Sequence, residues 1–358
     1  MNNSLNKTSE RGFSILEMMV AIIVMLIVTG AVFSLLRDSV KTSTATLEMG
    51  DAQQSLRTAH EYISRDLINT GDGLNSISNI RVPENFVTNY LTLNPVTDAA
   101  TPGFVNLGLV TADNNVAANT VVLGTAPPTT VRANPVLTDR ITILQADQTF
   151  TAITLDAGDV DPDTGLAAVA DSDIDKFRAG EIYFLTSAAG SIFVTVTDRA
   201  DVGTADPRLV FAGGDVFGLN SVGSGGQLDF VTAGATLQVS IRRMKIIHYY
   251  VNSGGLLMRR VFGVRLQGYS ESVIAEPVVS LQFRYFLNLK DSNGNVIQPK
   301  AQLSTSLQQT ETRQVEVSLT VETPHTLHNG QRQQISMTTS TSVRNMQFRR
   351  SLQPTAGG

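Results

Sequence analysis

The pattern of hydrophobic and polar positions begins with one long apolar run. Between Arg11 and Arg37 lie 25 residues that carry a single charge, Glu17. At ~1.5 Å of rise per residue, a helix of this length extends roughly 37 Å, which exceeds the ~30 Å of a bilayer's hydrocarbon core. The run therefore predicts a membrane-spanning helix over residues 13–37.

An amphipathic pattern follows the apolar run. Apolar side chains recur at spacings of three and four residues, and charged residues occupy the other faces. The run Asn69-Thr70-Gly71-Asp72-Gly73 then supplies strong helix-stop signals. We predict one helix of about 55 residues, whose second half covers residues 38–72 and whose Ser/Thr-rich stretch 38–46 is the place where it would bend. Its core-facing residues would be Ala52, Leu56, Ala59, Ile63 and Leu67.

From residue 80 onward the pattern is that of β-strands. Short segments rich in branched and aromatic residues are separated by turn residues. Ser253-Gly254-Gly255 predicts a hairpin, residues 292–295 predict another turn, and residues 95–135 predict a long irregular insertion. The predicted strands are 139–145, 181–186, 191–197, 236–241, 246–252, 256–262, 278–287, 313–321 and 333–343.

These patterns predict an α+β fold, in which a long N-terminal helix, transmembrane and then amphipathic, packs on a large β-rich globular head. We divide the head into an acidic region, 73–245, and a C-terminal β-rich region, 246–350, with a disordered tail at 351–358. Residues 70–239 carry a net charge of −12 and residues 240–358 a net charge of +8. We interpret this segregation as contact between the two halves. Nucleic acid binding is disfavoured, because no aromatic residues are interleaved with the arginines.

The residues before the apolar run have the features of a removable leader. Residues 1–12 are polar and mildly basic, and the small residue that could be cut, Gly12, precedes the apolar run. An ordinary secretory signal peptide has its cleavage site after a shorter apolar region. Cleavage after Gly12 would keep the apolar helix on the mature chain, with Phe13 as its first residue.

Glu17 is anomalous inside an apolar segment. A carboxylate at mid-membrane costs on the order of 2.5–3.5 kcal/mol, and less near the end of the span, where this one lies. Cleavage after Gly12 would give Phe13 a free α-amino group, on the same or a neighbouring copy, that could pair with Glu17 and fix the axial register of subunits. The alternative is that Glu17 extends to the headgroup region of a plain signal anchor.

This N-terminal arrangement resembles a known one. Arg11-Gly12-Phe13-Ser14-Ile15-Leu16-Glu17, followed by the apolar helix, resembles the class III leader of type IV prepilins and of type II secretion pseudopilins. The resemblance implies that a prepilin peptidase cuts after Gly12 and methylates Phe13, and that Glu17 is the acid used in assembly. Many major pilins have a proline within this helix, whereas the first proline here is Pro83.

Later segments resemble PilW-type minor pilins. They are AHEYISRDLINTG at the end of the helix and the order HYYV…LLMRRV…AEPVVSLQFRYFLN…RQVEVSLTVET in the C-terminal part. The minor pseudopilin usually called GspJ shares much of this order. The resemblance implies a minor pilin that primes assembly or forms the tip of a type IV pilus, with roles in twitching motility and cell adhesion.

The same resemblance implies partners and a location. The partners would be other minor and major pilins, the prepilin peptidase and the inner-membrane assembly platform. The protein would cross the inner membrane once before assembly and then belong to the pilus at the cell surface. Two other functions stay open: a minor pseudopilin of a type II secretion system, and a single-span anchored adhesin that never polymerises.

The sequence shows no catalytic constellation. Cysteine is absent and the four histidines are scattered except for His325-x-x-His328, which we interpret as part of a solvated loop. We therefore expect neither enzymatic activity nor a cofactor, with calcium as the one ligand to consider. Asp159, Asp161 and Asp163 alternate as in hard-cation loops, but the following glycine comes one place late and no glutamate closes the loop. A solvated acidic loop is the alternative, and 291–295 is a second calcium candidate.

Overall fold

A computed structural model describes residues 14–72, 74, 80–91, 93, 102–117, 137–233, 237–263, 268–323 and 332–343. Its helices are α1 (Ile15–Ile68), α2 (Glu84–Asn89), α3 (Asp171–Ile174), α4 (Gln227–Thr232) and α5 (Ser306–Thr310). The first nine strands are β1 (Ile80–Pro83), β2 (Phe104–Leu107), β3 (Val110–Ala117), β4 (Leu137–Ala146), β5 (Ile153–Leu155), β6 (Val160–Asp161), β7 (Leu166–Ala168), β8 (Ile182–Thr186) and β9 (Ser191–Thr195). The others are β10 (Asp198–Ala200), β11 (Arg208–Val210), β12 (Val239–Val251), β13 (Leu257–Phe262), β14 (Tyr269–Ala275), β15 (Val278–Leu287), β16 (Thr312–Glu322) and β17 (Gln334–Ser342).

The architecture confirms the α+β prediction. A 54-residue N-terminal helix precedes a β-rich head, and the helix ends one residue before the predicted stop signal. The residues predicted to face the core are all buried, with Ala59, Ile63 and Leu67 at 0% exposure. They pack where α1 meets β14, β16 and β17, so the amphipathic half of the helix belongs to the main hydrophobic core.

The largest sheet is organised around β12. Its ten strands include the path β14-β13-β12-β8-β9-β1-β2, with β4 and β5 also paired to β12 and β3 paired to β4. The first part of β12 pairs with β5 and β8, and the second part pairs with β4 and β13. The prediction of two strands here, 236–241 and 246–252, is therefore wrong, since one continuous strand links the two parts of the sheet.

Charged residues in the middle of β12 explain that error. Arg243 and Lys245 interrupt the apolar pattern, yet both are matched by carboxylates from the acidic half of the chain. Arg243 Nε lies 2.8 Å from Asp147 Oδ2, Arg243 Nη1 lies 3.2 Å from Glu181 Oε2, and Lys245 Nζ lies 3.1 Å from Asp147 Oδ1. The opposite charges of the two halves thus meet at this strand, as the charge segregation predicted.

Two smaller sheets complete the head. One has the order β10-β11-β7-β6 and the other the order β15-β16-β17. A second hydrophobic core lies within residues 153–241, separate from the main core that includes α1. The long β15 and β16 carry alternating buried positions, which is why their boundaries matched the prediction closely.

Among the predictions for turns and loops, two are confirmed and one is partly wrong. The hairpin at Ser253-Gly254-Gly255 is confirmed between β12 and β13, and the turn at residues 292–295 is confirmed as well. The prediction of an irregular insertion at 95–135 is partly wrong, because this segment contains β2 and β3. β3 escaped notice because a register shift between Asp113 and Val116 interrupts its alternation. Residues 118–136 and the predicted tail lie outside the described residues.

Candidate functional site

The first half of α1 exposes its apolar side chains all round. Every large apolar side chain from Ile15 to Leu36 is at least half exposed, ranging from 50% at Val32 to 82% at Ile15. The most apolar 18-residue window has a mean hydropathy of 2.8 and is 0% buried. Among the described residues, α1 is the helix long and apolar enough to cross a bilayer. A helix that is apolar on every face requires lipid or other helices around it.

Glu17 caps the start of this exposed segment. The backbone N–H of Ser14 donates to Glu17 Oε2 at 3.0 Å, and the N–H of Leu16 donates to Ser14 Oγ at 3.3 Å. Together they form a capping box, which satisfies N–H groups that the first helical turn leaves without partners. No described residue donates a hydrogen bond to the second oxygen of Glu17. The carboxylate therefore lies at the positive end of the helix dipole with one oxygen open to another donor.

The other predicted site residues fall into two groups. Gly12, Phe13, His325 and His328 lie outside the described residues. The predicted calcium residues Asp159, Asp161 and Asp163 are described, and the carboxylates of Asp159 and Asp161 accept hydrogen bonds within local turns.

Hydrogen bonds in the acidic loop define these turns. Asp161 accepts from the backbone N–H of Asp163 at 3.0 Å and of Thr164 at 3.3 Å, and from the Thr164 hydroxyl at 2.6 Å. Asp159 Oδ2 accepts from the N–H of Asp156 at 2.7 Å. In the part of the chain that is described, no three His, Asp or Glu side chains are grouped as metal ligands would be. Calcium binding stays a prediction.

Sequence reasoning missed the polar connection between α1 and the head. Asp66 is buried on the helix, where its Oδ2 accepts from the Tyr249 hydroxyl at 2.6 Å and from Arg259 Nε at 2.7 Å. Gln145 Nε2 donates to the backbone oxygen of Asp66 at 2.6 Å. The available signal was a carboxylate three residues after Ile63, inside the apolar stripe of the helix. This connection fixes the end of α1 against β4, β12 and β13.

The N-terminal residues of the chain match a known family model. Residues 7–33 match the family model of the prokaryotic N-terminal methylation motif. The matched segment contains Gly12, Phe13 and Glu17, together with most of the exposed apolar half of α1. Neither a curated protein nor a solved structure matches the chain.

The methylation motif supports a type IV pilin-like or pseudopilin-like protein that is processed by prepilin peptidase. It also implies association with a membrane and with components of a pilus or pseudopilus. The exposed apolar helix beside the motif fits a membrane anchor.

Proposed function

We propose that the protein is a minor type IV pilin of PilW type, which primes pilus assembly or forms the pilus tip. After removal of residues 1–12, it would join other minor and major pilins through α1 and present its head at the cell surface. The role is structural, without enzymatic activity and without a cofactor. The observation that carries the proposal is one helix whose apolar first half carries the motif and is exposed on every face, and whose second half packs an apolar face on the head.

The geometry at Glu17 supports a mechanism for assembly. Cleavage after Gly12 creates an ammonium group at Phe13, while Glu17 keeps one oxygen on the N–H of Ser14. The second oxygen can then accept from the ammonium group of a neighbouring subunit. Inside a bundle of apolar helices, such a pair is much stronger than in water, although its net contribution depends on good geometry. The pair would therefore set the axial register between subunits.

The size of the head supports a minor subunit. The described strands β1–β17 form three sheets on two hydrophobic cores. A head of this size suits a subunit present in few copies at an end of the fibre. The same motif and helix would also serve a minor pseudopilin of a type II secretion system, which is the second candidate.

N-terminal mass spectrometry of the mature protein tests the processing step. We expect a chain that begins at Phe13 and carries one additional methyl group. An intact leader, or a first residue beyond position 35, would contradict the proposal and favour a single-span anchored adhesin or an ordinary secreted protein.

Two substitutions at Glu17 separate capping from charge pairing. Glu17→Gln preserves an oxygen that can accept from Ser14, whereas Glu17→Ala removes both the cap and the charge. We expect normal processing but impaired incorporation into the fibre for both variants, because both lack the carboxylate charge. Normal incorporation of Glu17→Gln alone would show that only the cap matters, and normal incorporation of both would contradict the mechanism.

Deletion of the gene distinguishes the two fibre systems. Loss of twitching motility with normal protein secretion supports the minor pilin. Loss of protein secretion with normal motility supports the pseudopilin instead.

A further inference from the structure

Strand β17 forms an edge of the β15-β16-β17 sheet. It pairs with β16 in a regular antiparallel register, from Glu322↔Gln334 to Gln314↔Ser342, without a register shift. Its sequence, QISMTTSTS, contains neither a charged residue nor a proline. Among the described residues, β17 has no strand on its other side.

Backbone hydrogen bonds at the two ends of β17 show which residues face outward. The N–H of Val343 donates to the carbonyl oxygen of Arg313 at 2.9 Å, and the N–H of Thr323 donates to that of Gln333 at 2.9 Å. In an antiparallel ladder, the groups that point to one partner belong to alternate residues. The odd-numbered residues of β17 therefore bond to β16, and the N–H and C=O groups of Ser336, Thr338 and Ser340 point away from it. No described residue bonds to these outward groups.

Proteins usually protect such an edge with charges, proline, bulges or short length. The edge strand β14 illustrates this: it contains Glu271, is followed by Pro277, and its pairing with β13 shifts register near Leu257. β17 has none of these features over nine residues. An unprotected edge of this length is suited to accept another strand.

The position of β17 beside α1 indicates where that strand comes from. His60 Nε2 donates to the carbonyl oxygen of Met337 at 3.1 Å, and the Thr341 hydroxyl donates to Ser64 Oγ at 3.0 Å. The two contacts advance in the same direction along both elements, so β17 runs in the same sense as α1. Helices of fibre subunits anchored in one membrane point the same way. Antiparallel self-pairing of β17 would reverse one helix, so this geometry excludes a second copy as the antiparallel partner.

We propose that the outer edge of β17 accepts an extended, uncharged strand from the head of a different, neighbouring subunit of the same fibre. The strand runs antiparallel to β17 and bonds to the outward groups of Ser336, Thr338 and Ser340. The inference rests on the proposed fibre function. It continues the subunit contact made by the apolar half of α1 into the head, since α1 and β17 lie side by side.

A proline at position 338 tests the edge without breaking the sheet. The N–H of Thr338 points outward, so Thr338→Pro leaves the bonds to β16 intact, as proline does on natural edge strands. We expect the thermal midpoint of the full-length protein in detergent and its processing after Gly12 to match those of the parent. Incorporation into the fibre should fall about tenfold, because a backbone bond is lost and the ring obstructs the incoming strand.

Thr338→Val is the matched control. It alters the same side chain but retains the N–H, so it should be incorporated like the parent. Incorporation of Thr338→Pro at the parental level would overturn the proposal, and so would an equal loss with Thr338→Val. Impaired incorporation of Glu17→Ala together with normal incorporation of Thr338→Pro would leave the fibre function standing and reject only the strand pairing.

If Thr338→Pro lowers the thermal midpoint substantially, a cross-linking measurement replaces the incorporation test with this variant. A photoreactive phenylalanine at Ser340 in the otherwise unchanged chain should cross-link to a strand of another protein that carries the methylation motif, identified by mass spectrometry of the joined peptides. Cross-links only between copies of this chain, or none in assembled fibres, would overturn the proposal.

Discussion

The two halves of α1 have opposite environments within one continuous helix. Ile23, in the first half, is 54% exposed, whereas Ile63, in the second half, is 0% exposed. Both halves are apolar enough to need burial, but within the described part of the chain only the second half is buried. The first half must be buried in lipid or among other subunits, which is why the helix itself points to membrane anchoring and assembly.

The contrast extends to polar groups. In the first half, Glu17 shares a surface-exposed cap with Ser14, whereas in the second half Asp66 is enclosed by Tyr249 and Arg259. A buried carboxylate with fixed partners makes one attachment geometry specific. The exposed carboxylate of Glu17 has, among the described residues, no partner for its second oxygen.

The largest expected effect comes from shortening one isoleucine in each half. Ile63→Ala removes buried apolar atoms and leaves a cavity, so the free energy of unfolding of the head should fall by about 3–4 kcal/mol. Ile23→Ala should change it by less than about 0.5 kcal/mol, because its side chain does not contact the head. Urea unfolding of both full-length variants in detergent measures the difference, and equal losses would contradict the comparison.

The Asp66–Arg259 pair gives a somewhat smaller effect. Arg259→Leu leaves the Asp66 carboxylate buried with only Tyr249 as a side-chain donor, so the free energy of unfolding should fall by about 3 kcal/mol. In the Asp66→Asn/Arg259→Leu double variant, the uncompensated charge is absent and much of that loss should be recovered. A double-mutant cycle in urea measures the coupling. Additive losses would show that the pair does not fix the helix to the head.

The pH dependence of the head gives the next effect. Asp139 is 1% exposed, and burial raises its pKa to about 6, although the N–H groups of Asn115 and Phe283 donate to its oxygens. The Tyr285 hydroxyl is a titratable group near it: burial raises the pKa of Tyr285 well above its usual value, and the charges of Asp139 and Asp113 raise it further. A raised folded-state pKa means that the folded protein binds the proton more tightly. Protonated Asp139 therefore stabilises the folded protein fully below pH ~4. As pH rises through ~6 this stabilisation is lost, and the free energy of unfolding falls by at most about 3 kcal/mol.

Asp139→Asn should abolish this slope between pH 4 and 7, as measured by urea unfolding at several pH values. Below pH 4 the opposite slope should remain. Burial opposes the ionisation of Asp147, but hydrogen bonds from Thr149 and Lys245 outweigh it and lower its pKa to about 2. Its stabilisation is thus lost as pH falls from ~4 to ~2. An unchanged slope above pH 4 in Asp139→Asn would show that another group titrates there.

The smallest effect is expected at the acidic loop. Asp161→Ala removes the acceptor of three turn hydrogen bonds on an exposed surface, so the thermal midpoint should fall less than for Ile63→Ala or Arg259→Leu. The same measurement with calcium or a chelator tests the calcium prediction. A midpoint raised by calcium in the parent but not in Asp161→Ala would support a site there.

The helix was the part of the fold most open to prediction. Its length, its stop signal and its buried stripe follow from spacing alone, because helical periodicity is a local property. Long strands such as β15 and β16 were found for the same reason. Strands of three residues, such as β5 and β7, are too short for an alternation to be detected, and distant partners complete their ladders: β5 pairs with β12, and β7 pairs with β11.

Likewise, one part of the candidate site could be predicted from the sequence and another part could not. The motif around Gly12, Phe13 and Glu17 was visible because its chemistry lies in consecutive residues. The attachment of Asp66 to Tyr249 and Arg259 was not, because it joins residues separated by 183 and 193 positions. The calcium prediction rests on alternate carboxylates, and the structure adds that those of Asp159 and Asp161 also accept hydrogen bonds within local turns.

The order of residues by itself determined an apolar helix with an acid near its start, an amphipathic continuation and a β-rich remainder, since these depend on contacts a few residues apart. Tertiary structure alone decided that β12 is one strand joining two parts of a sheet, that Asp66 is enclosed, and that no described strand pairs with the outer edge of β17. Those outcomes depend on which distant segments meet, and the free energy of such meetings is a property of the whole packed chain.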